Sequence, residues 1–400
     1  MSNRFSRFIA PSLAVLMAAG TIVGTSPVHA QDKIKVGLSF SDFATERWPN
    51  ENKLMTSLLQ AKGYDVVSQQ ANQDPKLQND QIETMITQGV KAIIVVAQDG
   101  DAAATAVDDA AKAGVKVIAY DRLIKSTNIA AYLSFNNVAV GNAQAQGVLT
   151  ALGIKSVTDT GKWSKTNPVK LVKLGGAKTD NNAILFRQGQ DEVLQPYVDA
   201  GVVKVVGDQF VDNWDPANAE KDMENILTAQ NNAVDAVVAS NDGTALGALQ
   251  AMNAQKLAGV VPISGQDATA DGCNSIVKGQ LTVTIFKDIR LLSPLAVDLA
   301  DNLIQGKTVA DMKSYTMAEL TNDKTKTGNV QAVFLPVVQV TKDNVYDVVV
   351  KSGFQSYDDV YKGVTDNLPP RPAAATMAAT MAGTMSAAMP APTMAATAAK

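Results

Sequence analysis

The stretch that most constrains the fold is residues 235–267, in which a helix-forming segment separates two short apolar runs. The first run is rich in valine and alanine and predicts a strand buried on both faces. Residues 243–252 have the composition of a helix, and residues 260–264 form the second run. Polar residues follow each run, Asn241 after the first and Asp267 after the second. This pattern predicts a βαβ unit whose polar side chains meet at the carboxyl edge of a parallel sheet, where open α/β folds bind ligands.

The same alternation recurs along most of the chain. Between residues 34 and 120, apolar runs typical of strands alternate with segments typical of helices, and a second set follows between about 138 and 304. A chain of 400 residues is also too long to form a single hydrophobic core of typical size, which suggests two domains or more. Successive parallel strands joined by helices form doubly wound sheets. We therefore predict an α/β protein with two Rossmann-like, doubly wound lobes of similar size.

Both ends of the chain depart from this pattern. Arg4 and Arg7 precede an apolar segment, and residues 28–30 are typical of a cleavage site, so residues 1–30 are predicted to be a secretory signal peptide. Residues 367–400 consist mainly of Ala, Thr, Met and Pro and offer few side chains that could form a core. We expect a disordered tail there, with an interaction or surface-tethering segment as the alternative.

Charge and composition argue against several functions. The formal net charge is −4, and loss of Arg4 and Arg7 with the signal peptide makes it more negative, so nucleic acid is not an expected partner. His29 is the only histidine and lies in the predicted signal peptide, which leaves no imidazole for general base catalysis or zinc. Cys273 is the only cysteine, and we expect a small buried residue on a helix rather than a reactive thiol. We predict no catalytic residue, no cofactor and no metal.

Charged, polar and aromatic side chains follow the predicted strands at one edge of the two sheets. Carboxylates and amides can hydrogen-bond hydroxyl groups, arginine offers rigid paired donors, and indole rings can cover the C–H faces of a sugar. Each residue also has a structural interpretation, as an ion pair, a helix cap or a core aromatic. The set is typical of a sugar site and comprises Arg47, Trp48, Asp121, Arg122, Asn182, Arg187, Trp214, Asn241, Asp267 and Lys287.

The motifs around these residues resemble the ribose-type family of periplasmic binding proteins, which serve bacterial ABC transporters. The resemblance runs from about residue 33 to residue 354, with the motifs in the same order. It implies the periplasmic binding protein type I fold, two lobes joined by a three-segment hinge with a sugar enclosed between them. The motifs lie at residues 46–48, 119–122, 180–182, 185–187, 207–209, 237–242 and 264–268.

The same resemblance implies a function for the candidate residues. The eight polar ones would hydrogen-bond a pentose, with D-xylose favoured, and Trp48 and Trp214 would flank its ring. The implied partners are the membrane subunits of an ABC transporter, with a chemoreceptor as a further possibility. The implied protein is a periplasmic monomer and not an enzyme. A secreted sugar-modifying enzyme and a sugar-sensing chemoreceptor partner on the same scaffold remain the alternatives.

The expected domain boundaries follow from the two sets of elements. The N-terminal lobe should comprise residues 31–140 and about 290–330, and the C-terminal lobe residues 141–289 and about 331–366. Residues 155–168 are polar and are expected to form a surface loop, in which Trp163 packs locally.

Overall fold

A computed structural model describes residues 33–307 and 312–372 of the chain. The predicted signal peptide and residues 373–400 of the predicted tail lie outside the described residues. The strands of the described part are β1 (Lys35–Phe40), β2 (Asp65–Gln70), β3 (Ala92–Val95), β4 (Lys116–Tyr120), β5 (Ala131–Phe135), β6 (Val169–Gly175), β7 (Val203–Phe210), β8 (Ala236–Ala239), β9 (Ser264–Gln266), β10 (Val283–Phe286), β11 (Lys313–Thr316), β12 (Asn329–Leu335) and β13 (Val338–Val340).

Helices connect most of these strands. The α-helices are α1 (Arg47–Ala61), α2 (Pro75–Thr87), α3 (Ala103–Lys112), α4 (Asn137–Ala151), α5 (Asn181–Asp199), α6 (Pro216–Ala229), α7 (Asp242–Ala254), α8 (Ala270–Val277), α9 (Ile289–Ile304), α10 (Met317–Thr321) and α11 (Tyr357–Val360). A 3-10 turn covers Asp212–Trp214, and a π-helical turn covers Tyr346–Val350. No helix in this described part of the chain is long and apolar enough to cross a membrane.

The first lobe is built on a seven-stranded sheet in the order β11-β12-β5-β4-β3-β1-β2. Its neighbouring strands are parallel, except for the antiparallel edge pair β11 and β12. Leu38 and Ile94 belong to the core layer that includes Met55 of α1, whereas Ile93 belongs to the opposite layer with Ile82 of α2. Because both faces of the strands are covered, their sequences are apolar runs rather than alternating patterns.

The second lobe contains two three-stranded sheets, β7-β6-β8 and β13-β10-β9. A parallel bridge between Val237 and Ile263 joins them. The strand predicted at residues 260–264 begins later than expected, at Ser264, the first residue of β9. Pro262 has no N–H to donate to a ladder, and Val260 is 74% exposed. The predicted βαβ unit is nevertheless present, with β8, α7 and β9 in that order.

The chain crosses between the lobes three times, after β5, after β10 and after β12. The last crossing is later than the expected boundary at about residue 331. β12 pairs in parallel with β5 and places Leu335 opposite Phe135, so it belongs to the first sheet. Pro336 then separates β12 from β13, which pairs with β10 in the second lobe.

The beginning of the predicted tail differs from expectation. The hydroxyl groups of Tyr346 and Tyr357 donate to the carbonyl oxygens of Pro370 and Pro369, each over 2.8 Å. Arg371 also forms an ion pair with Asp358. Residues 367–372 therefore pack on the second lobe, because their backbone carbonyls satisfy the two tyrosine hydroxyls.

Two local predictions are confirmed. Trp163 is buried in the core of the second lobe, and its indole N–H donates to the carbonyl oxygen of Leu152 over 3.1 Å. Its loop, residues 155–168, is exposed over most of its length and contains two tight turns. Cys273 is buried on α8, as a small apolar residue would be.

Glycines allow α4 and α5 to pack closely. A Cβ atom at Gly141 of α4 would lie 2.0 Å from the carbonyl oxygen of Phe186 on α5. A Cβ at Gly189 of α5 would lie 2.1 Å from the carbonyl oxygen of Val138. Two backbones that approach this closely leave no room for a side chain at the contact.

We expect Gly141→Ala to lower the free energy of unfolding by about 1–3 kcal/mol, since α4 and α5 must separate to accept the methyl group. The measurement is denaturant unfolding of both proteins. Gly243→Ala is the matched control, because the nearest atom to a Cβ there is 3.6 Å away. Equal effects of the two substitutions would contradict the packing argument.

Candidate functional site

The carboxyl ends of strands from both lobes surround one narrow cavity, with about 30 Å³ of space for the centres of water-sized molecules. Side chains from both lobes line it: Thr45, Arg47, Trp48, Asp121, Arg122, Asp180, Asn182, Phe186, Trp214, Asn241, Gln266, Asp267 and Lys287.

Nine of the ten residues predicted from the sequence lie in this lining. They come from α1, from the segment after β4, and from the ends of strands and starts of helices in the second lobe. They are Arg47, Trp48, Asp121, Arg122, Asn182, Trp214, Asn241, Asp267 and Lys287. The shared sheet edge therefore brings together residues that are up to 240 positions apart in sequence, from Arg47 to Lys287.

Arg187 is the exception, because its side chain is not part of the cavity lining. One guanidinium nitrogen pairs with Asp208, and another donates to the carbonyl oxygen of Gln209 over 3.3 Å. The guanidinium carbon also lies 4.6 Å from the centre of the Phe210 ring. β7 thus supplies Arg187 with an anion, an acceptor and an aromatic face, and these hold it away from the cavity.

Four lining residues were not among the predicted ones: Thr45, Asp180, Phe186 and Gln266. For two of them, the position in the sequence could have predicted that they line the cavity. Phe186 is four positions after Asn182 on α5, so the two share a helix face. Gln266 is the last residue of β9 and immediately precedes Asp267. Thr45 lies in a loop, where strand and helix periodicity give no indication of side-chain direction.

Arg47 lies in the first turn of α1. Its Nε and Nη2 donate to Oε1 of Glu51, over 3.1 and 2.6 Å. Its Nη1 lies 3.0 Å from Oδ2 of Asp121 and 3.4 Å from Oδ1 of Asp267. Asp267 belongs to the second lobe, so Arg47 connects the two lobes electrostatically.

Neighbouring buried charges control the ionisation of Arg47 and Asp121. Burial alone raises the pKa of Asp121, but Arg47, Lys287 and Arg122 outweigh burial and hold that pKa below its usual value. Burial lowers the pKa of Arg47, whereas its carboxylate neighbours raise it well above the usual value. Arg47 and Asp121 are therefore both charged in the folded protein, and each depends on the other for compensation.

Amide and hydroxyl groups fix the position of Asn182 at the start of α5. Asn137 and Tyr132 donate to its Oδ1, over 2.7 and 3.2 Å. Its own Nδ2 donates to Oδ1 of Asp121 over 3.1 Å. Asp180 caps the same helix by accepting from the backbone N–H of Asn182. Neighbouring hydrogen bonds of this kind hold the side chains of a binding site in one orientation.

Two cation–carboxylate pairs complete the polar lining. Arg122 Nε lies 3.0 Å from Oδ2 of Asp180, and Lys287 Nζ lies 3.7 Å from Oδ2 of Asp121. Both pairs are buried and both connect the first lobe with the second. Together with Arg47, the lining presents three cationic and three anionic side chains.

The two predicted tryptophans supply aromatic faces. Trp48 packs against Phe40, and Arg47 lies over its ring at 4.5 Å from the centre. Trp214 packs edge-on against Phe186, with ring centres 6.2 Å apart. A Cβ atom at Gly176 would lie 2.1 Å from the Trp214 ring, so the glycine after β6 makes room for the indole.

Backbone strain is concentrated in the lining. Asp121, Trp214 and Asp267 have φ angles of 60°, 58° and 94°. Residues other than glycine rarely adopt such values, and in folded proteins they cluster at ligand sites. These conformations direct side chains that follow β4, β7 and β9, and no helix or strand pattern in the sequence predicts them.

Asp242 supports the segment that carries Asp267. Its Oδ2 accepts from the backbone N–H and the hydroxyl of Thr269, over 2.9 and 3.1 Å. Its carboxylate is fully buried beside Gly265 and Gly272, where a Cβ would come within 2.1–2.2 Å of its oxygens. Burial, opposed by the hydroxyl of Thr284, raises the pKa of Asp242 to about 8.

This raised pKa predicts a pH effect on stability. In the unfolded chain Asp242 ionises near the usual aspartate pKa of 3.8, so the stability that the protonated carboxyl contributes is lost as pH rises towards about 8. The side chain of Asp242→Asn cannot ionise. We therefore expect the free energy of unfolding of this variant, relative to that of the natural chain, to be higher at about pH 8 than at about pH 5. Denaturant unfolding at both pH values tests this. A difference between the two proteins that does not change with pH would contradict a protonated Asp242.

Comparison with known proteins agrees with this geometry. Residues 36–308 match the family model described as a periplasmic binding protein domain. The chain is 38% identical over 349 residues to the D-xylose-binding periplasmic protein of Escherichia coli (strain K12), covering 87% of this chain and 99% of that one. It is 35% identical to a multiple sugar-binding periplasmic receptor of Rhizobium radiobacter, covering 87% and 98%.

A solved structure shows the same fold. The carbohydrate transporter solute binding protein of Chloroflexus aurantiacus, in complex with D-glucose, matches with a TM-score of 0.72 and 30% identity, over 85% of this chain and 100% of that one. The family match covers more than half of the chain, and the relatives are matched over almost their full lengths. The chain described here belongs to the periplasmic binding protein family.

Proposed function

We propose that this chain is the extracytoplasmic binding component of a sugar ABC transporter and encloses D-xylose, or a closely related monosaccharide, between its lobes. The observation that carries this proposal is the composition of the cavity. Two tryptophans, three carboxylates, three cations and three amides from both lobes line one cavity. This combination can hydrogen-bond every hydroxyl of a sugar and cover its apolar faces.

The hydrogen-bonding capacity of the lining supports a polar ligand. Within residues 33–307 and 312–372, the indole N–H groups of Trp48 and Trp214 and Oε1 of Gln266 are buried without a hydrogen-bond partner. A buried polar atom without a partner costs roughly 1–3 kcal/mol. A ligand with several hydroxyl groups is the type of molecule that can satisfy such atoms.

Contacts between the lobes support a mechanism of closure. Asn181 Nδ2 donates to the carbonyl oxygen of Leu320 over 2.7 Å, and Glu46 accepts from the backbone N–H of Ala270 over 3.2 Å. Arg47 and Asp267 face each other across the same gap. A sugar that touches both lobes would favour this arrangement over an open one, because only the closed arrangement offers both sets of contacts.

The relatives guide the choice of sugar. The relative at 38% identity is named for D-xylose, the one at 35% for multiple sugars, and the solved structure at 30% contains D-glucose. Xylose and glucose differ by one hydroxymethyl group, so discrimination would have to be steric at one wall of the cavity. Wrong sugars would also leave buried polar groups unpaired.

The relatives are binding proteins rather than enzymes, and we propose binding and release without chemical change. The partners would be the membrane subunits of the transporter, and a chemoreceptor would contact the same outer faces of the lobes. We propose that the protein acts as a monomer and reaches the periplasm through its N-terminal signal peptide.

Binding can be tested by isothermal titration of residues 31–400 with D-xylose, D-ribose, L-arabinose, D-glucose and D-galactose. We expect one-to-one binding, with D-xylose tightest. Tighter binding of another of these sugars would keep the mechanism but correct the ligand. Failure of all five to bind would contradict the proposed function.

Trp214→Ala should weaken D-xylose binding at least tenfold, about 1.4 kcal/mol, because one face of the sugar loses its aromatic cover. The measurement is calorimetric titration of folded protein. Trp163→Phe is the matched control, since Trp163 is buried in the core of the second lobe and does not line the cavity. Equal affinity of Trp214→Ala and the natural chain would remove Trp214 from the site.

A further inference from the structure

Glu51 is a buried carboxylate that does not itself line the cavity. It lies one turn after Arg47 on α1 and is 0% exposed. Its Oε1 accepts two hydrogen bonds from Arg47, whereas its Oε2 is buried with no hydrogen-bond partner among the described residues. Leaving such an atom unpaired is expensive when the carboxylate is ionised.

The two hydrogen bonds determine where Arg47 points. Glu51 takes Nε and Nη2, which leaves Nη1 directed at Asp121 and Asp267. A guanidinium held along one edge keeps the opposite nitrogen in a fixed place. Glu51 therefore orients a cationic group that faces carboxylates of both lobes.

The charge count around the cavity identifies Glu51 as the surplus anion. The lining residues carry three positive and three negative side chains. Glu51 adds a fourth carboxylate, and its only hydrogen-bond donor among the described residues, Arg47, is shared with Asp121 and Asp267. A buried group of this kind reduces its energy by taking up a proton.

We propose that Glu51 is the positioning residue for Arg47 and that closure of the lobes on a sugar adds a proton to its carboxyl group. The inference rests on the proposed function, because it needs a ligand that closes the lobes. It assigns a role to a residue that does not touch the ligand.

The groups that face Glu51 indicate the direction of the effect. Burial raises the pKa of Glu51 to about 7, Arg47 on the same helix lowers it, and Asp121 and Asp267 raise it. Tyr120 of β4 also faces Glu51, and burial together with the charge of Glu51 raises the pKa of this tyrosine. Since Asp267 belongs to the second lobe, its repulsion of Glu51 is strongest when the lobes are closed. Closure also excludes water, and both effects raise the pKa.

The pKa values of Glu51 in the open and closed states determine how sugar affinity depends on pH. If the carboxyl has a higher pKa in the closed state, sugar binding takes up protons, and affinity is greatest at low pH. Affinity then falls as pH rises through the pKa of the closed state, about 7. One proton can weaken binding by up to about tenfold between pH 6 and pH 8.

The test is calorimetric titration of residues 31–400 with D-xylose between about pH 6 and about pH 8, in buffers of different ionisation enthalpy. For the natural chain we expect net proton uptake and affinity that falls with pH. Glu51→Gln retains an acceptor for Arg47 but cannot ionise. We expect this variant to bind D-xylose with the same affinity at every pH, equal to the affinity of the natural chain at low pH. Glu51→Ala should bind more weakly at every pH, because Arg47 is no longer oriented.

Asp222→Asn is the control, since burial raises the pKa of Asp222 on α6, outside the cavity lining. It should keep the pH profile of the natural chain. Sugar binding by the natural chain without proton uptake, or with affinity that rises with pH, would overturn the inference and leave the proposed function standing. An unchanged pH profile in Glu51→Gln would also overturn it. Failure of the natural chain to bind any sugar would overturn both.

Discussion

The buried guanidinium of Arg47 is the interaction on which the site depends. A charge this far from water needs anions and hydrogen-bond acceptors nearby, and three carboxyl groups surround it. Glu51 comes from the same helix, Asp121 from the end of a first-lobe strand, and Asp267 from the end of a second-lobe strand. The position of each lobe is therefore coupled to the charge of one side chain.

The remaining architecture can be understood as support for this arrangement. Parallel sheets place their carboxyl ends together, and the three crossings allow one chain to build two such edges that face each other. The strained backbone at Asp121 and Asp267 directs the two carboxylates toward Arg47. Asp242 holds the segment that follows Asp267 through Thr269. Rigid elements behind the site thus fix the groups that would contact a ligand.

The sequence predicts those parts of the site that depend on strand ends. Asn241 and Asp267 follow apolar runs, and the structure brings both to one cavity. The predicted start of this strand, at residue 260, was wrong, because Pro262 interrupts a run that composition alone assigns to a strand. The position of Arg187 was not predictable either. From its place on α5 it could face the cavity or β7, and the choice depends on Asp208, a tertiary neighbour.

We propose that a sugar lies between the two lobes, with polar contacts from both and an indole on each side. The decisive measurement is a crystal structure of residues 31–400 with D-xylose. We expect a pyranose between Trp48 and Trp214, within hydrogen-bonding distance of residues from both lobes. A sugar bound elsewhere on the molecule, or lobes closed without sugar between them in crystals grown with saturating D-xylose, would contradict it.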